Sequence, residues 1–176
     1  MKFLLKAISK KAIALSKESF SEAEIENNWI GKTPATEIAI KITEQRLGVS
    51  LPDDVKEFYK TSNGTSVVCK NTFGGFMPIE QIDWLINIQK QTLTDYSEMP
   101  ERYLEDLRNV IIISGINDAH QVFIIQPYGE YTSWRYWEFA FYFPGERVID
   151  GIKSYLERLD DFLSEQIINK INESTK

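Results

Sequence analysis

Residues 40–64, IKITEQRLGVSLPDDVKEFYKTSNG, are the stretch from which the fold is read. Ile40, Glu44 and Leu47 recur at i, i+4 and i+7, which places them on one face of a helix. Gly48 then ends that helix, as glycine does where the chain must turn left-handed. Leu51-Pro52 opens a second helix. Proline suits a first helical position because its missing N–H has no partner there anyway. Asp53 and Asp54 follow in the first turn, where the positive end of the helix dipole favours carboxylates. Val55, Phe58 and Tyr59 repeat at i, i+3 and i+4 as one apolar stripe, and Asn63-Gly64 closes the element. The stretch is a helical hairpin whose second member buries an aromatic face. Glu44 lies on an otherwise apolar side, and a buried carboxylate needs donors; its expected role is to anchor backbone N–H groups of the adjoining loop.

The 176 residues around this hairpin are 43% hydrophobic and 12% aromatic, ample for one core. A chain of this size buries roughly 70% of its unfolded surface and needs neither disulfide nor metal to hold together. A lone cysteine, Cys69, agrees with that, since it makes neither a framework nor a CxxC site. No run of about 18 apolar residues is present, and Lys6, Lys10 and Lys11 interrupt the one stretch that imitates a leader. The expected location is the cytoplasm. Charge is uneven: residues 1–20 carry five lysines against one glutamate, so the remainder holds a net −10 within a total of −6. Such acidity argues against binding nucleic acid by phosphate neutralisation; it either suits a basic protein partner or merely keeps the chain soluble.

Outward from the hairpin, residues 3–19 read as a lysine-bearing amphipathic helix that either packs on the domain or is mobile; stable membrane association would need a second signal. Residues 1–27 are thus an N-terminal helical extension and 28–176 the domain proper. Thr33 and Thr36 are alternative N-caps for the first hairpin helix. Beyond Gly64, strands are expected at 65–70 and 73–79, then a helix from Glu80 to Leu85 with Ile82, Leu85 and Ile86 inward. Residues 89–108 read as a polar loop followed by the helix 101–107. Two apolar runs, 110–114 and 121–126, flank a Gly/Asn/Asp turn and give a hairpin. An aromatic loop, 128–135, leads to the strand 136–143. Pro144-Gly145-Glu146 is a turn, and a helix begins after Gly151, with Ile152, Tyr155, Leu156, Leu159 and Leu163 on one face. The fold class is α+β: one sheet, antiparallel or mixed, of about five or six strands, packed by the N-terminal helical hairpin and a C-terminal helix.

Trp29-Ile30-Gly31, Ala35-Thr36, Glu44, Arg46-Leu47-Gly48, Leu51-Pro52, Phe58 and Asn63-Gly64, in that order and spacing, resemble the SUKH superfamily. So do the Pro78-Ile79-Glu80 to Trp84 segment and the aromatic strand that ends at Phe143-Pro144-Gly145 ahead of a helix. The superfamily's best-known member is a fungal cell-wall assembly regulator, and most of its bacterial members are antitoxin-type immunity proteins. The resemblance covers about residues 28–163. Thr65 stands where many members have an aromatic residue.

Catalytic chemistry finds no constellation in the sequence. His120 is the only histidine, no GxSxG is present, and one His with one Cys falls short of a zinc ligand set. Gly74-Gly75 lacks the frame of a phosphate loop, and no cofactor is expected. The resemblance implies an immunity protein that binds a cognate bacterial toxin, a basic nuclease-type domain among the candidates, and blocks it by shape and charge. The alternative is a non-catalytic regulatory scaffold that recognises peptides, of the cell-wall-regulator kind. Acids and aromatics at expected loops and helix edges are the candidate contacts: Asp83, Trp84, Asp118, Glu130, Tyr131, Trp134 and Glu146.

Overall fold

The computed structural model describes residues 1–68, 75–115, 120–140 and 143–174. The hairpin forms as α3 (Glu37–Leu47) and α4 (Asp53–Thr61). Thr36 is the N-cap, its hydroxyl accepting from Ala39 N at 3.1 Å, which decides between the two threonines. Pro52 occupies the N-cap of α4 rather than its first turn, and Ser62, not Asn63-Gly64, is the C-cap. Val55, Phe58 and Tyr59 are fully buried. Glu44 does what its position suggested: Oε1 accepts from Leu51 N at 2.8 Å and from Ser50 Oγ at 3.2 Å.

Strands β1 (Asp83–Trp84), β2 (Val110–Ile112), β3 (His120–Ile125), β4 (Arg135–Ala140) and β5 (Phe143–Ile149) pair in that order. Every pairing is antiparallel. The mixed alternative is therefore removed, and the sheet has four strands of three residues or more with a two-residue edge. Neither expected strand after Gly64 forms a ladder among the described residues. Thr65 bonds Phe76 while Ser66 N donates to Ile30 O, so successive residues serve different neighbours. Met77 N reaches Ile113 O and Ile79 N reaches Asn63 Oδ1 on either side of Pro78. Cys69 and Gly74 lie outside the described residues.

The expected helix at 80–85 is also corrected. Arg46 Nη2 takes the carbonyls of Glu80 (3.4 Å) and Ile82 (2.6 Å), acceptors a helix would need for itself. Asp83 and Trp84 pair with Ile112 and Ile111, and only Leu85–Ile88 is helical (α5); Ile86 is exposed. Pro144-Gly145-Glu146 likewise lies inside β5, not at a turn. The register shifts there, with Glu138 opposite Arg147 but Ala140 opposite Phe143, so the proline sits at a bulge of an edge strand, where a missing donor is tolerated.

Both faces of the sheet are covered. On one, Tyr136 and Glu138 of β4 meet α4 and α8 (Ile152–Ser174), through Asp54 and Arg158. On the other, Trp137 lies 6.2 Å, ring to ring, from Tyr103 of α7 (Glu101–Arg108), which follows the single-turn α6 (Thr92–Asp95). The N-terminal helix α1 (Lys2–Leu15) lies along α8. Leu5, Ile8, Ala12 and Ile13 enter the common core, and Lys11 Nζ holds Asp160 Oδ1 and Ser164 Oγ at 2.7 Å each. A 3₁₀ turn (Lys17–Ser19) and the short α2 (Glu22–Asn27, boxed by Ser21 and Glu24) connect α1 to the hairpin.

Asp54 ties three elements together. Its Oδ1 accepts from Tyr136 OH and its Oδ2 from Ile152 N at 3.0 Å, the first amide of α8. Gly151 makes that approach possible. Its φ is +108°, and a Cβ there would stand 2.8 Å from Asp54 Oδ2.

Candidate functional site: an aromatic loop locked from beneath

The segment between β3 and β4 is short and sharply turned. Tyr131 N donates to Tyr128 O at 3.0 Å, and these two residues form an isolated antiparallel bridge. Gly129 has φ +57°, while Glu130 keeps a negative φ. Glycine at the first central position alone is the type II′ pattern, whose twist suits a hairpin connection. Tyr128 and Tyr131 therefore flank a two-residue turn, their rings 5.7 Å apart and edge to face.

Beneath the turn lies Arg135, the first residue of β4. Its guanidinium is 3.7 Å from the Tyr131 ring centre and 5.3 Å from that of Tyr128. It is paired with Asp106 of α7, whose side chain is only 8% exposed. Tyr128 OH donates to the same carboxylate oxygen. Burial pushes the Tyr128 hydroxyl up to about 12, and donation to Asp106 adds to the rise. Burial alone would lower the Arg135 guanidinium; Asp106 and Tyr128 more than reverse that. Gln126 Nε2 to Asn109 Oδ1, 2.7 Å, fixes the start of the loop to the end of α7. A buried ion pair contributes little net stability against its desolvation, but it fixes position. Here it holds two tyrosines in place before anything binds.

Three of the seven candidate residues are brought together here. Glu130 and Tyr131 are exposed at the turn, Tyr131 by 40%, and Trp134 packs half-buried against the core. Asp83 and Trp84 lie at the far edge of the sheet and are engaged locally. Asp83 faces Arg46 at 3.1 Å and accepts from Asn87, and Trp84 Nε1 donates to Leu47 O at 3.3 Å, closing the C-terminus of α3. Asp118 lies outside the described residues, and Glu146 falls within the backbone of β5. The residues that organise the loop, Asp106, Tyr128 and Arg135, were not among the seven. A glycine between two tyrosines signals the turn. Nothing in sequence signals that an aspartate 29 residues upstream of Arg135 is its partner.

The sequence matches the SMI1 / KNR4 family (SUKH-1) over residues 34–165. The chain belongs to that family. No curated protein matches it. The SUKH-1 match takes in the hairpin, the sheet and most of α8, but α1 lies before it even though Leu5 and Ile8 share the same core. Among the described residues of this SUKH-1 chain, no group of three or more His, Cys, Asp or Glu side chains could hold a metal. No helix of the described residues is long and apolar enough to cross a membrane. Among the described residues, a cleft of about 680 Å³ is lined by Ser16, Glu18 and Ser19 at the 3₁₀ turn and by residues 65–68. What the arrangement offers is a pre-positioned aromatic and acidic surface.

Proposed function

We propose that this SUKH-1 chain is an immunity protein: it binds one cognate bacterial toxin domain and blocks it by steric and electrostatic complementarity. Two things support the reading. Family membership supports it, since most bacterial members of the superfamily are antitoxin-type immunity proteins. The observation that carries it on this molecule is the Tyr128–Trp134 loop, fixed from behind by Asp106 and Arg135. Tyr, Trp and Arg dominate the energetics of protein interfaces, and a surface held in place before binding loses less conformational entropy when it docks.

Blocking a toxin requires only tight association, and nanomolar affinity corresponds to roughly −12 kcal/mol. Co-expression of the chain with the toxin domain encoded beside it tests the reading. Restored growth and a stoichiometric complex on gel filtration are the expected results. Unrelieved toxicity with no complex would overturn it, and weak recognition of several peptides instead of one protein would favour the regulatory-scaffold alternative.

A further inference from the structure

The loop does not stand alone at its end of the sheet. Tyr136 pairs with Ile149, and Asp150 follows just beyond the end of β5. Glu130 and Asp150 are two exposed carboxylates near the loop: the first precedes Tyr131 in the turn, and the second follows Ile149, the partner of Tyr136. Neither forms an ion pair with any described residue. Among the described residues, Arg135 is paired with Asp106, Arg108 with Glu101 and Glu105 at 2.7 and 2.9 Å, and Lys153 with Glu157 at 3.6 Å, while Arg102 lies over the Tyr103 ring. Glu130 and Asp150 thus add unpaired negative charge at the end of the sheet that carries the aromatic loop. Exposed apolar residues elsewhere include Ile38 and Ile42 on α3, with Lys41 between them, and Ile168 and Ile171 on α8.

We infer that this end of the sheet, Glu130, Tyr131, Trp134 and Asp150, is the docking surface for a basic protein face that presents arginine. The inference deepens the immunity reading and rests on it for the identity of the partner. Arginine fits better than lysine for two reasons. Its planar guanidinium can stack on the tyrosine and tryptophan rings while pairing with a carboxylate. It is also more weakly hydrated, so it gives up less on entering an apolar contact. Arg135 already covers one part of Tyr131, and the exposed remainder is what an incoming side chain would meet.

The test uses the whole chain and two probes. Nona-arginine is titrated while backbone amide shifts are followed. Perturbations confined to 128–135 and 150, lost at high salt and smaller with nona-lysine, are the expected result. Shifts centred on α2, on the outer face of α7 or on Ile38 and Ile42, or no shifts at all, overturn the inference whether or not the chain is an immunity protein. The second probe is the toxin domain encoded alongside. Tyr131→Ala and the pair Glu130→Lys with Asp150→Lys should each weaken its binding by at least about thirtyfold. The equal charge change Glu22→Lys with Glu26→Lys should leave binding within about threefold. Wild-type binding that survives the loop variants but fails with Ile38→Asp and Ile42→Asp would reject this surface and leave the immunity reading standing. A toxin that does not bind wild type rejects the immunity reading and, with it, the assigned partner.

Discussion

Replacing Asp54 with alanine should remove more stability than any other exchange of a polar side chain in the hairpin. Its carboxylate accepts from Ile152 N, the first amide of α8, at 3.0 Å, and from the hydroxyl of buried Tyr136. Hydrogen bonds to a charged group contribute about 1.5–3 kcal/mol, and a buried donor left without an acceptor costs about 1–3 kcal/mol. The negative charge also sits at the positive end of α8, worth about 0.3–1 kcal/mol. These contributions overlap, so the expected loss is about 3–4 kcal/mol. Tyr136→Phe alone should cost only about 1 kcal/mol, because Ile152 N and Val55 N still hold the carboxylate. The double variant then decides the matter: with the stranded hydroxyl gone, it should be more stable than the sum of the singles by about 1–2 kcal/mol. Urea unfolding at constant m reads all three differences, and amide exchange at Ile152–Tyr155 should accelerate first. A loss below about 1 kcal/mol for Asp54→Ala, or an additive cycle, would refute the claim that this side chain joins α4, β4 and α8.

Three further outcomes follow from other sites. Tyr59 is fully buried, and its hydroxyl has no partner among the described residues; Tyr59→Phe should therefore be neutral or stabilising by up to about 1 kcal/mol, and a clear loss on denaturation would refute an unpaired hydroxyl. Burial alone would raise the Glu24 carboxyl, but hydrogen bonds from Ser66, from the backbone and hydroxyl of Ser21, and from Lys32 lower it from 4.5 to about 2. Its folded value is depressed, so the stability it adds is complete above about 4.5 and disappears as pH falls toward about 2. That contribution is up to about 3 kcal/mol by linkage, and Glu24→Gln should flatten the acid limb of stability against pH. Ile8→Ala on α1 should cost about 2–5 kcal/mol, since Ile8 is fully buried against the core; a melting temperature that does not move would mean α1 is detachable.

The fold was readable where local chemistry and burial agree. The hairpin has a threonine cap, a glycine terminator and a single apolar stripe, and each marks its place whatever the rest of the chain does. Glu44 was readable for the same reason, since a carboxylate among apolar neighbours has few physical outcomes. Segments shaped by distant partners were not. Glu80–Leu85 has helical periodicity, yet Arg46 claims two of its carbonyls. Pro144-Gly145 reads as a turn until the register shift in β5 is known. At the candidate site, Glu130, Tyr131 and Trp134 were legible as exposed chemistry on a loop. Asp106 was not, because its significance comes from α7 folding back across the sheet to meet Arg135.

That pairing also separates stability from positioning. Asp106 and Arg135 are largely withdrawn from water, where exchanging a charged pair for apolar residues of similar size is often neutral or stabilising by about 1–4 kcal/mol. Arg135→Met alone should therefore be costly, about 3–5 kcal/mol, because it strands a buried carboxylate. Asp106→Leu with Arg135→Met should recover most of that loss. The double variant would still lose the contacts that hold Tyr128 and Tyr131, namely the carboxylate that accepts from Tyr128 OH and the guanidinium against both rings. If the pair exists to fix the turn, backbone order parameters at 128–134 should fall from about 0.85 toward 0.6 in a protein whose unfolding midpoint has scarcely changed, and partner dissociation should quicken while the exposed side chains stay the same. A double variant with an unchanged loop would show that the type II′ turn holds itself, and that the buried ions are a feature of the core rather than of the binding surface.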